Sequence, residues 1–345
     1  MKKKPVLHLL KSNVFSGAEN VVVQIIRLFK NERNMFYCSP TGKIAESLNM
    51  RGIKYIPLKS FNPLAIWKII NKYNINIIHA HDPGACVLAA MVPKKITIIA
   101  HVHGNHDNMK IISLKSVLFL ICSLRYTKII WVSNSSYNDY YFKNYLKRKS
   151  FILENVINPS EIEDKILRDR ITENYDCIYL GRLSQEKDPI RAIKIIREVV
   201  REIPNFKMVF VGDGILKGDC QKLVKKYKLD NNIIFKGFQN NPIPYLYNSK
   251  LLLMTSKYEG IPMSALEAMC LGKPIISTPT DGLLELIDLN VTGFYSDNNN
   301  ELIEYIIKLY NDKNKYDSMS RYALCRFEKY NNVENYKKRI GECYE

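Results

Sequence analysis

Short apolar runs alternate with amphipathic stretches along almost the whole 345-residue chain, and this alternation limits the possible folds more than any other feature. The runs VLHLL (6–10), NMFYCS (34–39), KYIPL (54–58), INIIHAH (75–81), ITIIAHVH (96–103) and KIIWVS (128–133) read as strands buried on both faces. Helical stretches separate them, such as AENVVVQIIRLFK after Gly17 and NPLAIWKIINKY before Asn74. Strands spaced by helices pair in parallel, so the pattern predicts an α/β fold. NPSEIEDKILRDRITENYD (158–176) is strongly charged and weakly periodic, and a linker is expected there. The alternation restarts with CIYLGRL (177–183), a helix through 190–203, FKMVFVGDG (206–214), IIFKGF (233–238), LLLMTS (251–256) and KPIISTP (273–279). NNN at 298–300 is expected to be a loop, and helices dominate from Glu301 onward. The expected architecture is two Rossmann-like, doubly wound parallel-sheet domains facing a cleft. They span 1–160 and 177–325, with a linker over 161–176 and a terminal helix over 326–345 that packs back toward the first domain.

Charge adds a partner class. The chain has 51 Lys and Arg against 34 Asp and Glu, yet residues 1–150 hold 23 cations and only 6 carboxylates. The whole excess of +17 therefore belongs to the first half, densest at Lys2, Lys3, Lys4, Lys143, Lys147, Arg148 and Lys149. Such asymmetry points to a polyanion, either nucleic acid or an anionic membrane surface. No nucleic-acid reader motif accompanies it, so the membrane is the expected partner, at about 1 kcal/mol for each basic residue near an anionic leaflet. The eight cysteines are scattered without a C-x-x-C pair, as in a reduced cytoplasmic chain. The start MKKKPVLHLL lacks a cleavage site, so no signal peptide is expected. IISLKSVLFLICSL (111–124) is too short to span a bilayer. A buried core helix is expected there, with a membrane-facing apolar helix as the alternative.

Three motifs carry chemistry. In YEGIPMSALEAM (258–269), Gly260 permits unusual backbone angles and Pro262 suits a helix start. Glu259 then lies in a loop after a strand and Glu267 in the following helix, both at the carboxyl edge where open α/β sheets bind ligands. Free amides at the helix start favour phosphate, and carboxylates accept hydrogen bonds from paired hydroxyls. A nucleotide sugar offers both; a solvated helix with incidental glutamates is the alternative. GRLSQEKDP (181–189) places Arg182 and Lys187 at the same edge, where two cations neutralise a diphosphate or remain solvated. SGAEN (16–20) puts Gly17 at another helix start, without the G-x-G-x-x-G of a dinucleotide site. HAHD (79–82) and HVHGNHD (101–107) hold five of six histidines. H-x-H-x-x-H is similar to part of a metallo-hydrolase motif, but Asn105 stands where that motif has Asp. Sugar-contacting or structural histidines are the favoured reading, and no metal is expected.

In combination, EGIPMSALEAMCLGKPIIST, DGLLELI, TGF (292–294), GRLSQEKDP and SGAEN resemble the retaining GT-B glycosyltransferases of sequence family four, over nearly the whole chain. The resemblance implies that Glu267 binds the nucleotide's ribose and Glu259 the transferred sugar. It implies that Arg182 and Lys187 stabilise the departing diphosphate, so that no metal cofactor is needed. Gly17 would bring its amide to the phosphates, and His103 would sit by the donor sugar. The backbone of Met263, Ser264, Ala265 and Leu266 would close over the diphosphate, with Gly237 and Phe238 beside the base. UDP-sugars are the expected donors and GDP-sugars the second choice. The acceptor would be a glycan or lipid-linked oligosaccharide of a surface polysaccharide, met by a peripheral protein on the inner face of the cytoplasmic membrane.

The chain departs from the family pattern in three places. Ile261 and Pro262 follow Gly260 where Phe-Gly is usual, Asp281-Gly282 replaces a glycine pair, and Asn155-Val156 replaces Asn-Gly. These changes surround the donor sugar and the hinge, and none removes a charged group. Alternative readings are a GT-B sugar-nucleotide epimerase, a phosphorylase, an inactive scaffold or a nucleic-acid-binding protein. The four charged residues argue against the scaffold.

Overall fold

The computed structural model describes residues 3–93, 95–104 and 107–345. Lys2 and the Asn105–His106 portion of the histidine motif lie outside the described residues. The chain divides into two compact units, Met1–Asn155 with Val333–Glu345, and Val156–Asn332.

In the first unit the apolar runs become parallel strands β1 (Val6–Leu9), β2 (Met35–Pro40), β3 (Tyr55–Leu58), β4 (Ile77–Ala80), β5 (Thr97–Val102), β6 (Lys128–Trp131) and β7 (Ser150–Ile152). Their order is β3-β2-β1-β4-β5-β6-β7, so the winding direction reverses between β1 and β4. One face packs Leu7, Leu9, Ile78, Ala80, Ile98 and Ala100 into an apolar core. The register sets His8 opposite His79 and Ala80 opposite Ala100, which brings the histidines of three strands together on the other face. Side-chain caps start two of the crossover helices. Asn62 accepts from the Ala65 amide (2.8 Å) to open Pro63–Lys72, and Asp82 accepts from the Ala85 amide (2.8 Å) to open Pro83–Ala90.

The terminal helix Val333–Cys343 belongs to this unit, anchored by Lys337 on Glu32 (2.7 Å) and by the Tyr344 hydroxyl 2.8 Å from His79 Nδ1. It begins at Val333 rather than at residue 326, because the preceding helix Lys313–Tyr330 lies in the second unit.

The second unit has parallel strands β8 (Tyr175–Leu180), β9 (Met208–Val211), β10 (Ile233–Gly237), β11 (Ser249–Met254), β12 (Ile275–Ser277) and β13 (Gly293–Tyr295), in the order β10-β9-β8-β11-β12-β13. Here the reversal falls between β8 and β11.

Three expectations need correction. The predicted linker contains a helix, Pro159–Arg168, belonging to the second unit. Ile162 buries its apolar side, while the Asn241 side-chain amide donates to Lys165 O and Asp169 Oδ2 (2.7 Å each). NNN opens a helix instead of a loop, because Asn298 accepts from the Asn300 amide (2.9 Å) and caps Asn299–Asn311. The 111–124 segment is not a buried core helix. Its helix Leu114–Cys122 buries Phe119 and Ser116 but turns an apolar stripe to solvent. Among the described residues, no helix is long and apolar enough to cross a membrane.

Candidate functional site

Both reversals collect the motif residues at the carboxyl ends of strands, where crossover loops diverge and leave a crevice. In the second unit, β8 leads into the 181–188 loop and β11 into the 255–262 loop. These loops are tied together. The Lys257 amide donates to Glu186 O (2.8 Å), and the Thr255 hydroxyl donates to Asp188 O (2.7 Å). Beneath them, the Tyr179 hydroxyl donates to Arg182 O (2.9 Å). Asp188 adopts a left-handed conformation (φ 43°), and its carboxylate accepts from the Arg191 amide (3.1 Å) to start Pro189–Glu202.

Lys187 and Glu259 meet across this crevice in an ion pair. Glu259 is 8% exposed and also accepts from the Ser256 hydroxyl (2.7 Å), whereas Lys187 is 24% exposed. Arg182 lies farther out, 54% exposed and 3.3 Å from Glu186 on the next turn. The Arg182–Glu186 pair is solvated and weak, so the guanidinium is available to an incoming anion. The helix Met263–Cys270 starts beside Glu259 with no side-chain cap, leaving the first-turn amides of Met263 and Ser264 without intrahelical acceptors. The Ala265 and Leu266 amides donate to Pro262 O and continue that turn. Glu267 is buried within the same helix. Gly237 (φ 68°) ends β10, and its carbonyl accepts from the Gly212 amide (2.8 Å); the adjacent Phe238 ring is exposed.

Two glycines hold this edge together. A Cβ on Gly212 would stand 1.9 Å from Gly181 O, and one on Gly282 would stand 1.5 Å from Gly260 O. The helix Asp281–Leu286 therefore abuts the Glu259 loop only because residue 282 lacks a side chain. Gly282→Ala is expected to displace that loop and to lower stability by about 1–3 kcal/mol. A thermal melt would show a lowered midpoint.

In the first unit the corresponding edge holds Gly17, the first residue of the helix Gly17–Leu28, with open space where a Cβ would stand. Leu10, Lys11, Ser12, Ala18, Glu19, His81 and Asp82 line a pocket of about 320 Å³ there. Burial pushes the Glu19 carboxyl up, while the Ser16 hydroxyl donates to it (2.5 Å).

Behind this pocket the imidazoles form two hydrogen-bonded chains. One runs from His8 Nδ1 to His81 Nε2 (2.9 Å) and from His81 Nδ1 to His103 Nε2 (2.8 Å). The other runs from Tyr344 through His79 to His101, with a His79–His101 separation of 3.2 Å. Burial lowers His8 to about 3 and holds His79, His81 and His101 well below the usual imidazole value, so all four are neutral at pH 7. Two triads, His8–His79–His81 and His81–His101–His103, bring one ring nitrogen from each residue within 4.8 Å of the others. Both ring nitrogens of His79 and of His81 are already hydrogen-bonded to other histidines or to Tyr344.

The structure thus joins Lys187 with Glu259, places Arg182 and the 263–266 amides on the same sheet edge, and sets Gly17 and His103 in the first unit. Sequence reasoning missed the supporting roles of Ser256, Tyr179, Gly212 and Gly282. Only GDG after β9 and the Asp-Gly pair hinted at the two close approaches.

Known proteins share this architecture. Residues 161–325 match the family described as glycosyl transferases group 1, and residues 15–181 match Glycosyltransferase Family 4. An uncharacterized glycosyltransferase of Methanocaldococcus jannaschii is 28% identical over 235 residues, which cover 62% of this chain and 58% of that protein. The chain therefore spans less than two thirds of that relative's length. The capsular polysaccharide biosynthesis glycosyltransferase CapH of Staphylococcus aureus is 27% identical, with 76% of this chain and 78% of CapH covered. The crystal structure of Anabaena HepE in complex with UDP-glucose superposes with a TM-score of 0.82 at 19% identity, covering 98% of each chain. The two family models together span residues 15–325, and the chain belongs to the group 1 and family 4 glycosyltransferases.

Proposed function

We propose that the chain is a retaining glycosyltransferase that moves a sugar from a UDP-sugar to a lipid-linked glycan during the synthesis of a bacterial surface polysaccharide. The observation that carries this reading is the Lys187–Glu259 pair at the sheet reversal, beside an uncapped helix start. When a donor enters, Lys187 and Arg182 turn to its diphosphate and Glu259 to its sugar hydroxyls. Glu267 takes the ribose, and the 263–266 backbone closes over the phosphates with the Met263 and Ser264 amides facing them. Cleavage of the sugar–phosphate bond sends its electron pair to the diphosphate, where the two cations stabilise the developing charge. The acceptor oxygen attacks the same sugar face and yields its proton to a phosphate oxygen, so no protein base is required. His103, held by His81, contacts the donor sugar. The two cations take the place of a metal ion. The solved HepE complex with UDP-glucose supports a uridine donor, and CapH supports a surface-polysaccharide product. The basic first half supports a peripheral place on the cytoplasmic membrane face.

A nucleotide panel tests the reading. A ligand that binds only the folded state raises the melting temperature. UDP is expected to raise it most, with GDP and ADP at equal concentration giving smaller shifts. Equal shifts for all three, or none for any, would contradict the assignment.

A further inference from the structure

The 108–153 segment builds a surface that the sugar-transfer site does not use. The capping box of Ser113 starts the helix Leu114–Cys122, whose buried side carries Ser116 and Phe119. On the opposite side Leu114 (76% exposed), Leu118 and Ile121 are spaced as one helical stripe. Ile111 and Ile112 extend it at one end and Leu124 (81% exposed) at the other. Folded soluble chains rarely leave so continuous an apolar strip in water.

The strip has a basic rim. The Tyr141 amide donates to Met109 O (2.9 Å), and Lys149 Nζ donates to Ser123 O (2.9 Å) and Leu124 O (3.3 Å). These bonds lay the 141–149 segment alongside the helix, with Tyr141, Tyr145, Lys147 and Arg148 exposed. From 108 to 153 the chain has eight Lys and Arg and one acidic residue, Asp139, which pairs with Lys110 (2.9 Å).

Leucine and isoleucine enter the acyl boundary, exposed tyrosines suit the interface, and lysine and arginine meet phosphate headgroups. A protein partner would have to match both the apolar strip and the surrounding positive charge; an anionic bilayer does so without shape complementarity. We propose that this face docks on an anionic lipid bilayer with the helix Leu114–Cys122 lying in the plane of the interface. The inference rests on the lipid-linked acceptor proposed above, and it assigns the membrane contact to one helix and one basic rim.

The test is co-sedimentation of the full chain with phosphatidylcholine vesicles, with and without phosphatidylglycerol. The wild-type chain should bind the anionic vesicles and release as salt rises. Leu114→Gln/Ile121→Gln/Leu124→Gln should lower partitioning by about a hundredfold, and Lys147→Gln/Arg148→Gln by about thirtyfold. Both variants should keep the wild-type melting temperature and donor hydrolysis. Leu124→Gln alone serves if the triple variant fails to fold. Triple-variant binding equal to wild type would overturn the assignment of this face. Wild-type chain that ignores anionic vesicles but hydrolyses donor would overturn the docking surface and leave the transferase reading intact. A wild-type dimer that the triple variant dissolves, without vesicle binding, would make the face a contact between copies.

Discussion

Lys187→Ala is expected to lower transfer on the order of 10²–10³, as loss of a preorganised group facing a developing anion does in other acyl- and phosphoryl-type sites. Its ammonium sits at the sheet reversal against Glu259, where the proposed mechanism turns it onto the donor's diphosphate. Arg182→Ala should act in the same direction. Its exposed side chain, paired with Glu186, supports little of the fold. Removing Lys187 also strips a mostly buried carboxylate of its cation, leaving the Ser256 hydroxyl. That loss should lower stability by about 1–3 kcal/mol, less than for a fully buried pair because water reaches Lys187. The double variant Lys187→Ala/Glu259→Gln separates the effects: stability should recover while turnover stays low. Near-wild-type turnover in Lys187→Ala would remove Lys187 from the diphosphate site.

Mild acid should destabilise the first unit and spare the second. His8, His79, His81 and His101 are held neutral by burial, with His8 lowered to about 3. In the unfolded chain a histidine titrates near 6.5, so below that pH the unfolded state binds more protons than the folded one. The stabilisation is thus fully present above about pH 6.5 and is lost as pH falls toward the depressed folded values. Four such groups amount to as much as about 5 kcal/mol by pH 5.5, a large share of a typical domain's stability. All six histidines precede residue 107, so the second unit has none. Hydrogen exchange at pH 7.5 and 5.5, corrected for intrinsic rates, should show loss of protection in peptides from β1, β4 and β5. Peptides from β8 and β11 should change little. Equal loss in both units, or none in the first, would contradict the buried-neutral assignment.

Much of the architecture was legible because valine- and isoleucine-rich runs leave parallel strands few alternatives. β7 was hidden inside the basic run KRKSFI, and the three-residue β13 lay within a motif read for other reasons. The helix Pro159–Arg168 was masked by its charges, since Ile162 alone is buried in it. Composition could not reveal which side of 111–124 meets water, because both sides of that helix are apolar. At the site, residue types and strand edges could be read directly, but the Lys187–Glu259 contact joins residues 72 positions apart. Strand register, which periodicity does not encode, likewise aligned five histidines from three segments. The roles of Gly212 and Gly282 became visible only when their neighbours' carbonyls were in place.

The proposed function requires this sheet edge to bind and activate a nucleotide sugar. Incubating the chain with single nucleotide sugars in the presence of chelator, and following slow nucleotide release, tests it most directly. UDP release from a UDP-sugar is expected, unaffected by chelator and lowered on the order of 10²–10³ by Lys187→Ala, with Glu267→Ala acting in the same direction. Release from no nucleotide sugar, release only with a divalent ion, or release indifferent to both substitutions would contradict it.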